Sequence, residues 1–305
     1  MKRFNSLEAH WQHFVLLVLI SVIWGSSFIL IKLALKAFTP VEVGTVRIFL
    51  SFVVLLPVLL FRPKTMQLLK KRFWPLLGVA IFGSGVPPFL FAIAQTKIDS
   101  SMAGMLNALV PIFTLLLGIL FFGVKSTAKK IIGVLIGFAG SLGIILQGSS
   151  FSAFDSENLA YGLFVVLATI CYGLGGNILK NYLSTYPAVQ VTALVFIIIG
   201  PLSGLYLLST DILHQVQHDN GALTALGYLF ILSFMGTALA LVMFNKLIQS
   251  TSALFASTVT YLIPGVAAFW GLLDGEMIGF MQIAGLLLIF LGIYLTGRTG
   301  KKKVE

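Results

Sequence analysis

Charge is scarce in this chain, and acid is scarcest of all. Only 10% of the residues are Asp, Glu, Lys or Arg while 58% are apolar. A soluble chain of 305 residues needs far more charge to cover its surface. The 10 acids fall in loops, tails or the ends of apolar runs, with Glu42 and Glu276 nearest to an apolar interior. Mid-run carboxylate, a common device for holding cations or protons inside a membrane, is therefore missing. The single cysteine, Cys171, excludes an intrachain disulfide and most thiolate metal sites. All 4 histidines lie in tails or loops, so no nucleophile–His–acid trio can form within the apolar runs. His214 and His218 have helical spacing, with Asp211 and Asp219 nearby, but the stretch reads as an irregular external loop without a fuller ligand set. No metal is expected there. The chain also has no Gly-x-x-x-x-Gly-Lys-Ser/Thr loop, so no cofactor, ATP site or ATPase subunit is expected.

What is present is hydrophobic length. Mean hydropathy is +1.02, and runs of roughly 20 apolar residues, enough to cross a bilayer, recur throughout. The first spans about His13 to Ala34, and the second about Pro40 to Phe61. The third, near Trp74 to Gln95, reads as interrupted at Gly83-Ser84-Gly85-Val86-Pro87-Pro88. The fourth covers Ser101 to Phe122 with Pro111 inside it, and the fifth Ala128 to Gln147. After a polar linker come five more: about Leu159 to Leu179, Ala188 to Leu208, Leu223 to Ile248, Ala253 to Leu273 with Pro264 inside, and Met277 to Thr296. No removable leader is expected, because the first run is too long for one and lacks a small-residue cleavage pattern.

The chain is also written twice. Trp24-Gly25-Ser26-Ser27-Phe28-Ile29-Leu30-Ile31-Lys32 has an echo in Tyr172-Gly173-Leu174-Gly175-Gly176-Asn177-Ile178-Leu179-Lys180, about 148 positions later. Pro40 pairs with Pro187, Gly83 with Gly236, Pro111 with Pro264, and Gly133 and Gly140 with Gly285 and Gly292. Five spans per half is an odd number, so the second half must enter the membrane from the opposite side. The expected fold is an all-α integral membrane protein of ten transmembrane helices in two five-helix inverted-topology repeats. Residues 1–12 form a cytoplasmic N-terminal segment and 13–147 the first repeat. Residues 148–158 are an external linker, 159–297 the second repeat and 298–305 a basic cytoplasmic tail.

Positive charge orients the bundle. With both termini cytoplasmic, every Lys and Arg except Lys32, Lys36, Arg47 and Lys97 falls inside. The outside then receives only Lys36 and Lys97, against Asp99, Asp155, Glu157, Asp211, Asp219, Asp274 and Glu276. That asymmetry predicts termini in the cytoplasm. It also accounts for the net charge of +10 without a nucleic-acid partner.

Trp24-Gly25-Ser26-Ser27 with Lys32, followed by Pro40 and Arg47 in a two-half, ten-span chain, resembles the EamA-type branch of the drug/metabolite transporter superfamily. The resemblance covers about residues 14–146 and 159–296. It implies a carrier of small metabolites in a bacterial inner membrane. One departure concerns an acid often found where the fourth span of a half ends: the second half has Glu276, the first Val124-Lys125.

The candidate site residues are the polar and amphipathic groups inside the spans: Trp24, Ser26, Lys32, Arg47, Asn107, Tyr172, Asn177, Asn245 and Tyr261. Each has a structural alternative. Lys32, Arg47 and Lys180 can snorkel to headgroups, Arg47 can pair with Glu42, and any Asn or Tyr can simply tie two helices. Gly83, Gly85, Pro87, Pro88, Pro111 and Pro264 are candidate helix breaks or gates, while Gly133, Gly137, Gly140, Gly285 and Gly292 read as close-packing faces. Fixed positive charge without fixed negative charge favours a zwitterionic or anionic substrate. The expectation is a secondary transporter exporting a small metabolite, an amino acid or similar zwitterion, with the bilayer and that substrate as its partners. The alternatives are a nucleotide-sugar or phosphorylated-metabolite exchanger, a multidrug efflux carrier and, outside transport, a membrane-embedded enzyme or scaffold.

Overall fold

The computed structural model describes residues 2–61, 65–98, 100–148, 156–273 and 280–297, all of them helical or in short connections. In chain order the helices are α1 (Lys2–Ala34), α2 (Pro40–Leu60), α3 (Thr65–Lys71), α4 (Phe73–Ala94), α5 (Ser100–Asn107), α6 (Val110–Phe122) and α7 (Ala128–Gly148). Then follow α8 (Ser156–Ile178, continuing as Leu179–Leu183), α9 (Ala188–Leu207), α10 (Ile212–His218), α11 (Ala222–Ser250), α12 (Ala253–Ser257), α13 (Val259–Leu273) and α14 (Phe280–Gly297). Among the described residues, six helical stretches are long and apolar enough to cross a membrane, and shorter apolar helices accompany them. Large apolar side chains such as Leu60, Phe61, Leu120, Phe121, Leu205 and Leu208 face outward, as a hydrocarbon solvent permits.

Local chemistry sets the helix ends. Thr39-Pro40-Val41-Glu42 forms a capping box: the Glu42 N–H donates to Thr39 Oγ1 (3.3 Å), and the Thr39 N–H donates to Glu42 Oε2 (2.8 Å). Glu42 is therefore committed to its own helix start. Gly123 closes α6 at φ 61°, where a side chain would be strained. Ser252 opens α12 by accepting from the Phe255 N–H at 3.0 Å.

Four readings from sequence are corrected by these elements. The third span is not interrupted at Gly83–Pro88. Residues Val79–Gly85 instead wind as a π-helix, the Val86 N–H bonds the Ile81 carbonyl, and Pro87 and Pro88 fall in the first turn of the resumed α-helix, where missing N–H groups cost least. The fourth and ninth runs do break, at Ala108–Leu109 with Pro111 just inside α6, and at Thr258 between α12 and α13. Residues 2–12 are not a separate segment but the start of α1. The His214 stretch is a short helix, α10, whose two imidazoles stack at 4.1 Å. The described residues contain no group of three or more potential metal ligands. Most of the linker, the tail and Glu276 lie outside the described residues.

Packing is paired. α2 packs on α9 and α7 on α14, each pair being the corresponding helices of the two halves. α1 packs on α11 and α13 of the second half, and α8 on α4, α5 and α6 of the first. Glycine permits the closest approaches. A Cβ on Gly25 would stand 3.1 Å from Val266, and one on Gly173 would stand 2.9 Å from the Thr114 nitrogen. The shared aromatic-Gly motif thus lets α1 press against α13 and α8 against α6. At the α7–α14 seam a Cβ on Gly140 would lie 2.6 Å from the Gly285 carbonyl oxygen.

A central cavity between the halves

A cavity of about 1150 Å³, its open mouth included, lies where the two halves meet. Its lining is drawn from equivalent positions of both: Trp24 and Tyr172, Ser27 and Gly175, Gly83 and Gly236, Ser84 and Thr237, Phe91 and Phe244, Asn107 and Thr260. Of the three π-helical stretches among the described residues, Val79–Gly85 in α4 and Leu232–Leu239 in α11 are such equivalents, and each contributes lining residues; the third, Leu179–Leu183 at the end of α8, has no counterpart in α1.

Arg47 is the feature that breaks the pairing, because the matching position in the second half is Leu194. Its Nε donates to Thr237 Oγ1 at 2.7 Å, fixing the guanidinium against the π turn of α11. Its two Nη groups have no hydrogen-bond partner among the described residues, and the side chain lines the cavity. Glu42 does not pair with it, being held in the α2 cap. Among the described lining residues Arg47 is the one fixed charge. Trp24 is anchored to the same π turn. Where that turn reverts to α, the Ala240 N–H bonds Met235 and Thr237, and the Gly236 carbonyl accepts Trp24 Nε1 at 2.8 Å instead. Aromatic rings continue the wall: Trp24 lies 4.9 Å from Phe244, and Phe91 stacks on Tyr172 at 6.1 Å.

Five of the candidate residues, Trp24, Arg47, Asn107, Tyr172 and Asn245, line this cavity, as do Gly83 and Pro88. Asn245 donates to Thr192 Oγ1 at 2.9 Å. The others do not line it. Asn177 ties α8 to α6 through the Thr114 carbonyl (2.9 Å), and Tyr261 ties α13 to α7 through the Val134 carbonyl (2.8 Å). Lys32 is exposed on α1, and Ser26 turns away while its neighbour Ser27 lines the wall. Gly85, Pro87, Pro111 and Pro264 act through backbone geometry rather than as wall. Lys180 holds the end of α11, donating to the Ile248 and Gln249 carbonyls at 3.0 and 2.9 Å. Ser84, Thr237, Phe91 and Phe244 were not singled out in the sequence. The Gly83–Gly236 pairing was the signal that could have found the first two.

These features are those of a membrane carrier. The model of the EamA-like transporter family matches twice, at residues 12–146 and 159–298, and the chain belongs to that family. It is 28% identical over 292 residues to a probable amino-acid metabolite efflux pump of Salmonella typhimurium, covering 92% of this chain and 93% of the relative. It is 26% identical over 304 residues to an S-adenosylmethionine/S-adenosylhomocysteine transporter of Chlamydia muridarum, covering 94% of each. A solved crystal structure shares the fold with a TM-score of 0.69 at 16% identity, covering 95% of this chain and 96% of that one.

Proposed function

We propose that this chain exports a small zwitterionic metabolite, an amino acid or close relative, across a bacterial inner membrane by alternating access. The carrier has ten spans in two inverted repeats, with both termini cytoplasmic. The observation that carries this reading is Arg47: a guanidinium held by one hydrogen bond, its Nη pair without a partner among the described residues, on the wall of a cavity that has no carboxylate among its described lining residues. Such a fork binds a carboxylate with two parallel hydrogen bonds. The twofold match to one family model and the packing of like helices across the halves support the repeat architecture. The basic residues flanking the spans support the orientation. The named relatives agree with the substrate class, since S-adenosylmethionine itself has an amino-acid end. A phosphorylated or nucleotide-sugar substrate would bring more negative charge than one guanidinium matches, and Lys32 and Lys180 do not line the cavity.

The test is counterflow in reconstituted vesicles preloaded with individual amino acids. Saturable exchange is expected for at least one, with Arg47→Gln reducing it for the acid but not for its carboxamide analogue. Exchange of nucleotide sugars with none of amino acids would overturn the proposal.

A further inference from the structure

Resting on that reading, the structure assigns the substrate's ammonium end as well: we propose that Asn107 and Thr260 form a pole of uncharged acceptors that binds a primary ammonium, on the cavity wall away from Arg47. Three observations converge there. Asn107 is only 6% exposed, lines the cavity, and its side-chain Oδ1 has no hydrogen-bond partner. An unmatched polar atom at that depth destabilises the fold unless something else satisfies it.

The second observation is backbone. Proline has no N–H, so Pro111 offers nothing to the Asn107 carbonyl four residues before it. Pro264 does the same to the Thr260 carbonyl, inside α13. The two halves thus relieve a carbonyl of its usual donor at the same place, and both residues line the cavity. Backbone groups freed at membrane depth are tolerated where they line a cavity.

The third is the direction of the neighbouring hydroxyls. Thr114 donates to the Val110 carbonyl (2.8 Å), Ser257 to Leu254 (2.8 Å) and Thr260 to Ser257 (3.0 Å). Each hydroxyl hydrogen is spent on backbone, so each oxygen presents lone pairs. This region accepts hydrogen bonds and donates few, the complement of an ammonium with its three N–H groups.

The two poles stand apart. α2, which bears Arg47, packs on α4, α9 and α11, whereas α5 and α13, which bear Asn107 and Thr260, pack on α1, α7 and each other. α1 and α8, with Trp24 and Tyr172, lie between them. A substrate with carboxylate at one end and ammonium at the other spans the cavity with its body against the aromatic rings. The amine is then recognised without any acid, so the site selects a hydrogen-bond donor rather than a bare positive charge.

The experiment is calorimetric titration of the purified full chain with L-phenylalanine, L-phenylalaninamide (no carboxylate) and N-acetyl-L-phenylalanine (no ammonium). Asn107→Leu should weaken the first two by about tenfold and leave the third within about twofold. Arg47→Gln should spare only the amide. Pro264→Ala restores a donor to the Thr260 carbonyl; it should weaken the ammonium-bearing ligands several-fold without lowering the melting temperature. Equal losses for all three ligands in Asn107→Leu, with a normal melting temperature, would overturn the ammonium pole and leave the proposed function standing. If Asn107→Leu fails to fold, Pro264→Ala decides alone: equal affinities for all three ligands, unchanged from the parent, overturn the pole. Binding of none of the three by the unaltered chain would overturn both.

Discussion

Thr237→Val isolates what one hydrogen bond contributes to holding the cavity's charge. Valine keeps the branched shape of threonine but cannot accept the Arg47 Nε–H now bonded at 2.7 Å. It also removes the weaker bond from Thr237 Oγ1 to the Leu232 carbonyl at 3.2 Å. The bond to a charged donor is worth about 1.5–3 kcal/mol when nothing replaces it, and cavity water replaces part of it. The guanidinium, no longer fixed, must be ordered again by each incoming carboxylate at about 0.5–1.5 kcal/mol. Carboxylate ligands should therefore bind about two- to twelvefold more weakly. Thr237→Ser, which keeps the oxygen, should stay within about twofold. Calorimetric titration with L-phenylalanine and its amide reads the effect, and thermal unfolding in detergent controls for damage. The reasoning is refuted if valine and serine behave alike, or if valine weakens the amide as much as the acid.

Three further outcomes can be checked. Gly140→Leu drives a side chain into the backbone of α14, so it should abolish folded yield or lower the melting temperature, whereas Gly227→Ala, where a Cβ meets nothing within 4 Å, should be neutral. Tyr261→Phe removes the bond to the Val134 carbonyl and should cost about 0.6–2 kcal/mol of stability while leaving ligand affinity unchanged, as paired melting and titration would show. In a Cys171→Ala background, an impermeant maleimide applied to intact cells should label Ser209→Cys and not Lys71→Cys; the reverse pattern would invert the proposed orientation.

Much of the bundle was legible because bilayer physics writes itself into sequence as apolar length and flanking lysine. The glycine seam between α7 and α14 was readable because it depends on local spacing; the Thr39–Glu42 box depends on spacing just as local but was missed, Glu42 reading as a partner for Arg47. The π turns were not. A π turn and an α turn have the same composition, and what separates them is the partner of each N–H group. Rotation about a helix axis was equally hidden. Ser26 and Ser27 are neighbours of the same size, yet about 100° of helical rotation sends only Ser27 to the cavity. Asn107 and Asn177 are likewise the same residue in similar apolar surroundings. Asn177 is satisfied by the Thr114 and Gly173 carbonyls, and Asn107 Oδ1 by nothing in the protein. Only packing distinguishes a tie from a vacancy. Arg47 offered Glu42 as a nearby counter-charge, but the cap had already claimed that carboxylate.

The π turns at Val79–Gly85 and Leu232–Leu239 have a historical consequence. A π turn is what one inserted residue leaves behind in an α-helix whose two ends are too well anchored to rotate. Two independent insertions would have had no reason to land at matching positions. Matching positions are what a π turn already present in one half before its duplication would leave, whereas the turn at Leu179–Leu183 has no counterpart in α1. The chemistry differs between the halves: glycine stands at both Gly83 and Gly236, while Trp24 and Arg47 of the first half have Tyr172 and Leu194 at the matching positions of the second. A backbone shared by both halves and side chains found in only one thus meet on the wall of a single cavity.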